Sequence, residues 1–162
     1  MDRAYALLVE RRPEQRYTGV VHGDYRLGNM LVDGGGELRG VLDWELCTLG
    51  DTLADVGYLL DSWGLPGDEP APDPTATPTA AGGFASRDEL LADYARVTGR
   101  DLDGIEYYQA FQYWRLAAII EGVYSRYLKG VMGDPDADTA AFRLRVERLA
   151  EQSLDCLGRL DG

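Results

Sequence analysis

The apolar positions of this chain change their spacing along its length, from helical to alternating and back to helical. Residues 2 to 12 place Ala4, Leu7 and Leu8 on one side of a short helix, and Pro13 stops it because it lacks the N–H for another turn. Tyr17 to Val21 predicts a strand. Met30 to Val32 and Leu38 to Leu42 predict the arms of a hairpin around Gly34, Gly35 and Gly36, where glycine permits the positive φ of a tight reversal. The helical period returns at Leu53, Val56, Leu59 and Leu60, the stripe of a helix from about 53 to 63 that Asp51 can N-cap and Gly64 can end in a left-handed conformation. Ser86 with Glu89 three residues later forms a capping box that starts a helix ending near Gly99. The longest helix, about 104 to 129, is apolar on two faces: Tyr113, Leu116, Ala117, Ile120, Tyr124 and Tyr127 on one, Tyr107, Phe111, Trp114 and Ala118 on the other. Two apolar faces predict a central, buried helix. A last amphipathic helix, capped by Asp138, runs through Phe142, Val146, Leu149, Leu154 and Leu157.

Residues 65 to 83 break the pattern. They hold Pro66, Pro70, Pro72, Pro74 and Pro78, five of the seven prolines, and predict a surface loop of extended character. The chain beyond residue 83 is too short to bury a core of its own, so residues 1–162 are expected to form one domain. The order of elements, a small β unit and then helices, predicts an α+β fold that is mainly helical.

Composition narrows the function classes. A content of 45% hydrophobic residues with three Trp, three Phe and ten Tyr suffices for a globular core. Sixteen basic against 28 acidic residues give a net charge of -12, which opposes sequence-independent binding to nucleic acid. Cys47 and Cys156 lie far apart without a Cys-x-x-Cys spacing, so they predict reduced thiols and no zinc knuckle. No apolar leader follows Met1, and the longest apolar run, Leu116 to Ile120, is too short to span a bilayer. The expected location is therefore cytoplasmic, with no nucleic-acid or membrane partner.

The candidate chemistry lies in His22-Gly23-Asp24, in Asn29 five residues after that Asp, and in Asp43 within Val41-Leu42-Asp43-Trp44. Phosphoryl transfer needs a carboxylate that orients the attacking hydroxyl and takes its proton, and oxygen ligands that fix magnesium across the phosphates. Asp24 fits the first task. Asn29, close enough to share its loop, and Asp43, at a strand end, offer a neutral and an anionic oxygen to a hard cation. Turn-forming Asp and Asn also cap loop backbones, and a lone histidine in an apolar stretch, as His22 is, serves more often as a satisfied core group than as a catalyst.

The blocks His22-Gly23-Asp24-Tyr25-Arg26-Leu27-Gly28-Asn29-Met30-Leu31, Val41-Leu42-Asp43-Trp44-Glu45 and Gly50-Asp51-Thr52-Leu53-Ala54-Asp55-Val56-Gly57 resemble the C-terminal lobe of the aminoglycoside phosphotransferase and choline kinase family. These are small-molecule kinases of protein-kinase-like fold. The stretch from Tyr107 to Tyr124 is similar to the branch that is fused, in some animal proteins, to an acyl-CoA dehydrogenase. The resemblance implies ATP as donor, Mg2+ as cofactor and a small-molecule hydroxyl as acceptor. It implies Asp24 as catalytic base, Asn29 and Asp43 as magnesium ligands, and Asp55 as a brace that accepts backbone donors of the catalytic loop. His22 is implied to orient that loop from behind, and Arg26 to support the site.

Two departures from the family pattern matter. Thr52 stands where relatives usually carry proline, which also suits a first helical turn. Such kinases hold nucleotide with an upstream glycine-rich loop and a strand lysine, yet only 21 residues precede His22, the one lysine is Lys129, and no G-x-G-x-x-G occurs. The nucleotide lobe is therefore expected on a separate chain or lost, with an apolar and acidic surface open to self-association. Three functions stay open: a phosphotransferase, incomplete as an isolated chain; a noncatalytic substrate-binding or scaffold lobe; and, with the least support, a metal-dependent phosphoesterase using Asp24 and Asp43. Tyr107, Tyr108, Tyr113, Trp114 and Arg115 fit either cleft walls or core.

Overall fold

The computed structural model describes residues 1–68, 77–131 and 139–160. Among the described residues five helices dominate: α1 (Asp2–Glu10), α2 (Leu53–Asp61), α3 (Arg87–Thr98), α4 (Ile105–Leu128) and α5 (Thr139–Arg159). Four short strands complete the order, β1 (Thr18–Val21), β2 (Met30–Val32), β3 (Leu38–Val41) and β4 (Thr48–Asp51). The mainly helical α+β architecture expected from the sequence is the one found.

The hairpin forms as its pattern requires. β2 and β3 pair antiparallel with Met30 opposite Val41, and the turn closes when Asp33 Oδ1 accepts from the N–H groups of Gly35 (2.9 Å) and Glu37 (3.0 Å). Of the three glycines only Gly36 adopts positive φ, at 82°. β1 pairs antiparallel with β4, Thr18 opposite Asp51 and Val21 opposite Thr48, so the chain returns from the hairpin to lie beside its own entry strand. β4 has no apolar alternation, since Leu49 is its one large apolar residue and is 75% exposed. Backbone pairing, rather than a buried face, holds it.

Asp51 anchors the join between sheet and helix. Its Oδ2 accepts from the N–H groups of Arg16 (3.1 Å) and Tyr17 (3.4 Å), and its Oδ1 from that of Leu53 (3.0 Å) at the start of α2. The helix ends at Ser62, in right-handed conformation, and the expectation that Gly64 forms a left-handed cap is not met. Gly64 instead permits a close approach: a Cβ there would lie 3.0 Å from Ala80 Cβ and 3.1 Å from Thr77 Cβ. The approaching segment is a turn of 3-10 helix, Pro78–Ala81, tied down by the Thr79 hydroxyl donating to Gly64 O at 2.8 Å. Pro70, Pro72 and Pro74 of the expected loop, and the Asp138 cap, lie outside the described residues. The Ser86–Glu89 capping box is present, and Gly99 ends α3 at φ 66°.

Every core cluster shares α4. Ile105 and Tyr108 pack on Leu53, Val56 and Leu60 of α2; Ala110 packs on Leu8 of α1 and on Cys156 and Leu157 of α5; Ala117 and Ile120 pack on Val146 and Leu149. At Gly57 the helices α2 and α4 nearly touch, since a Cβ there would lie 2.9 Å from the Tyr108 carbonyl carbon. Tyr107, Tyr108, Tyr113 and Trp114 of α4 all pack in these clusters. Among the described residues no helix is long and apolar enough to cross a membrane.

Candidate active site

The site is assembled at the ends of β1, β2 and β3, where three loops meet over the N-terminal half of α2. His22 follows β1 and is buried at 1% exposure. Its Nε2 lies 2.7 Å from the carbonyl oxygen of Leu42, which can only accept, so Nε2 carries the proton. Nδ1 is then left to accept from the Asp24 N–H at 3.2 Å. One imidazole thus links the loop of Asp24 to the residue that precedes Asp43, and Trp44 covers it with ring centroids 4.6 Å apart.

Asn29 joins the same two segments. It ends a 3-10 turn, Leu27–Asn29, and its carbonyl accepts from the Leu42 N–H at 2.8 Å. Its side-chain nitrogen donates to the Asp24 carbonyl (2.8 Å) and to Asp24 Oδ2 (2.7 Å). With the nitrogen turned to Asp24, the amide oxygen is the atom of Asn29 left for a cation. Asp43 follows β3 in a left-handed conformation (φ 62°, ψ 53°) and is exposed. It is the one non-glycine residue at positive φ among the described residues, a strain of the kind that collects at functional loops.

Asp55, on the first turn of α2, sits beneath the loop. Its Oδ2 accepts from the His22 N–H at 2.6 Å and its Oδ1 from the Gly23 N–H at 2.9 Å. Gly23 has φ 84°, and a Cβ there would lie 2.8 Å from Leu46 O, so position 23 requires glycine on both counts. Burial pushes the Asp24 carboxyl upward, but hydrogen bonds from Tyr58 and Asn29 and the nearby Arg26 guanidinium outweigh it and hold Asp24 below the usual carboxylate range. Arg26 Nε lies 3.6 Å from Asp24 Oδ2. Burial and its bond to Asp24 push the Tyr58 hydroxyl up to about 12, so it remains a donor.

All six residues singled out in the sequence, His22, Asp24, Arg26, Asn29, Asp43 and Asp55, therefore gather around one pair of loops. Two further residues reach the site. Tyr58 lies one turn after Asp55 on the same face of α2, a spacing that could have pointed to it. Arg115 is the one member of the Tyr107–Arg115 group found at the loop, where its Nη2 donates to Gly23 O at 2.7 Å. Among the described residues no cluster of three or more His, Cys, Asp or Glu side chains could hold a metal by itself. A cation on Asn29 and Asp43 would complete its shell with phosphate oxygens and water, as suits magnesium.

Comparison with known proteins places these residues in context. Residues 1–111 match the phosphotransferase enzyme family. The chain is 38% identical over 96% of its length to acyl-CoA dehydrogenase family member 10 of Mus musculus, and 34% identical over 83% to acyl-CoA dehydrogenase family member 11 of Homo sapiens. It spans only 15% and 17% of those two proteins. A solved structure of an inferred aminoglycoside phosphotransferase from Ralstonia eutropha superimposes with a TM-score of 0.79 at 30% identity, covering 98% of this chain and 48% of that one.

Proposed function

Because the chain belongs to the phosphotransferase enzyme family, we propose that it is the catalytic lobe of a small-molecule kinase that moves a phosphoryl group from ATP to a hydroxyl. The observation that carries this reading is the linkage of the Asp24, Asn29 and Asp43 loops through His22 and Asp55. Asp24 orients the acceptor hydroxyl and takes its proton; it does so as a carboxylate, the form its contacts favour. Asn29 through its amide oxygen and Asp43 through its carboxylate would hold magnesium, and magnesium-bound ATP would supply the transferable phosphoryl group. Asp55 and His22 keep the loop in register, and Gly23 lets its backbone turn. Arg26 sets a positive charge beside the reacting centre.

The phosphate-holding contacts of the donor would come from a further lobe. Leu42, Trp44, Leu46 and Leu49 expose between 47% and 75% of their surface beside the site, an apolar area suited to covering by such a lobe or by a second copy. The free thiols Cys47 and Cys156 accord with a cytoplasmic location. The noncatalytic alternative stands beside this reading: the one lysine of the sequence, Lys129, caps the C-terminal end of α4.

Thermal unfolding separates the two. Magnesium-ATP at about 100 times its Kd should stabilise the native chain by about 2.7 kcal/mol. Asp43→Ala should abolish that gain, while Asp24→Ala should leave it. No rise at millimolar nucleotide would leave the noncatalytic lobe as the reading.

A further inference from the structure

Behind the loop that carries Asp24 lies a contact that the proposed chemistry does not by itself require. The Tyr58 hydroxyl is close enough to the Asp24 carboxyl to favour its ionised form. The Arg115 guanidinium lies over the Tyr58 ring, 5.0 Å from its centroid, and donates from Nη2 to Gly23 O at 2.7 Å. Arg115 thus holds the peptide that joins Gly23 to Asp24 and lies on the ring of Tyr58, whose hydroxyl acts on the Asp24 carboxyl. A cation over an aromatic face is attracted by the ring and uses up no N–H donor, so the guanidinium can serve both partners at once.

The two residues come from different helices, and the packing fixes how those helices meet. Gly57, next to Tyr58, has no room for a Cβ against the backbone of Tyr108 and Gln109. One turn further along α4, Gln112 Nε2 donates to Ala54 O at 3.0 Å. Both contacts lie N-terminal to Tyr58 on α2 and to Arg115 on α4, so the register of the two helices is set within two turns of the pair. The Asp55, Arg26 and Asn29 side chains also contact the loop, through the His22 and Gly23 N–H groups and through Asp24.

We propose that Tyr58 and Arg115 form a positioning pair that transmits the α2–α4 packing to the Asp24 carboxyl and the Gly23 peptide, fixing where an acceptor hydroxyl must sit. The proposal rests on Asp24 being the base. It makes the long helix α4, remote in sequence, part of what sets the base in place. It also gives α4 a route to the site: whatever displaces α4 relative to α2 moves Asp24.

Carboxyl-detected and amide NMR on the labelled full chain tests the pair without nucleotide. Tyr58→Phe is expected to shift the Asp24 Cγ resonance, and Arg115→Gln to speed amide exchange at Gly23 and Asp24 by about tenfold, the scale of one lost hydrogen bond, with α5 amides unchanged. Should Tyr58→Phe not fold, Asp24→Asn reads the same bond from its other end, through a shift of Tyr58 Cζ. Unmoved Asp24 and Tyr58 resonances with unchanged exchange would overturn the pair. If the spectra respond but magnesium-ATP does not bind, the contact stands and the phosphotransferase reading alone fails; if magnesium-ATP binds and the spectra stay silent, the pair alone fails.

Discussion

Removing the Asp55 carboxylate should cost far more than the loss of a partly exposed side chain would suggest. Asp55 satisfies the N–H groups of His22 and Gly23, at 2.6 and 2.9 Å, and both residues are buried. A hydrogen bond to a charged group is worth about 1.5–3 kcal/mol net, so the two together set a ceiling of about 6 kcal/mol. Asp55 is itself only partly buried, and water entering the space left by Asp55→Ala would recover a share, so the expected loss is about 3 kcal/mol. Asp55→Asn keeps one acceptor oxygen but turns an NH2 toward the other N–H, and should cost about 2 kcal/mol. Urea unfolding followed by tryptophan fluorescence reads this as a lower midpoint at unchanged m. Amide exchange should speed first at His22 and Gly23. A loss within about 0.5 kcal/mol of zero, the range of ordinary surface changes, would refute the brace. So would exchange that accelerates equally in α5.

The other expectations concern the interior. Burial pushes the Asp61 carboxyl well above its ordinary range, against the pull of Gln109, Tyr113, Arg87 and Arg159, so the folded chain keeps a proton there that the unfolded chain releases. Stability should therefore fall as pH rises from the unfolded carboxyl's pKa toward the folded one; Asp61→Asn should flatten that dependence, and parallel stability curves would refute the assignment. Gly57→Ala gains about 1 kcal/mol of helix propensity but overpacks against the α4 backbone at about 1–3 kcal/mol, so a lower melting temperature is expected and a higher one would contradict the close approach. Burial pushes the Cys156 thiol up to about 11, whereas Cys47 is exposed; a thiol reagent near neutral pH should modify Cys47 in the native chain and both in urea, as mass spectrometry would show.

How much of the fold and the site was legible in the chain depended on whether a signal was local. The capping box of Ser86 and Glu89, the hairpin arms and the long stripe of α4 are local patterns with one structural solution, and they fold as read. The Asp24-to-Asn29 spacing is local too, because both residues share a single loop. β4 escaped notice because a strand held by backbone pairing leaves no apolar alternation to see. Gly64 misled because a glycine after a helix looks the same whether it supplies a positive φ or room for a neighbour. Aromatic residues at helical spacing carry the same ambiguity: Tyr107, Tyr108, Tyr113 and Trp114 fill the core, while Tyr58, with an equally plain pattern, reaches Asp24.

The double duty of the His22 ring has a consequence for how this chain can change over time. A proton on one nitrogen serves the Leu42 carbonyl and a lone pair on the other serves the Asp24 amide, so a replacement must offer a donor and an acceptor from one buried spot, which an apolar side chain of that size lacks. The two loops are therefore not independent inheritances. A descendant that gave up position 22 would surrender the alignment of both at a stroke, and its remaining acidic residues would persist as relics of a lost task, not as a weakened version of it.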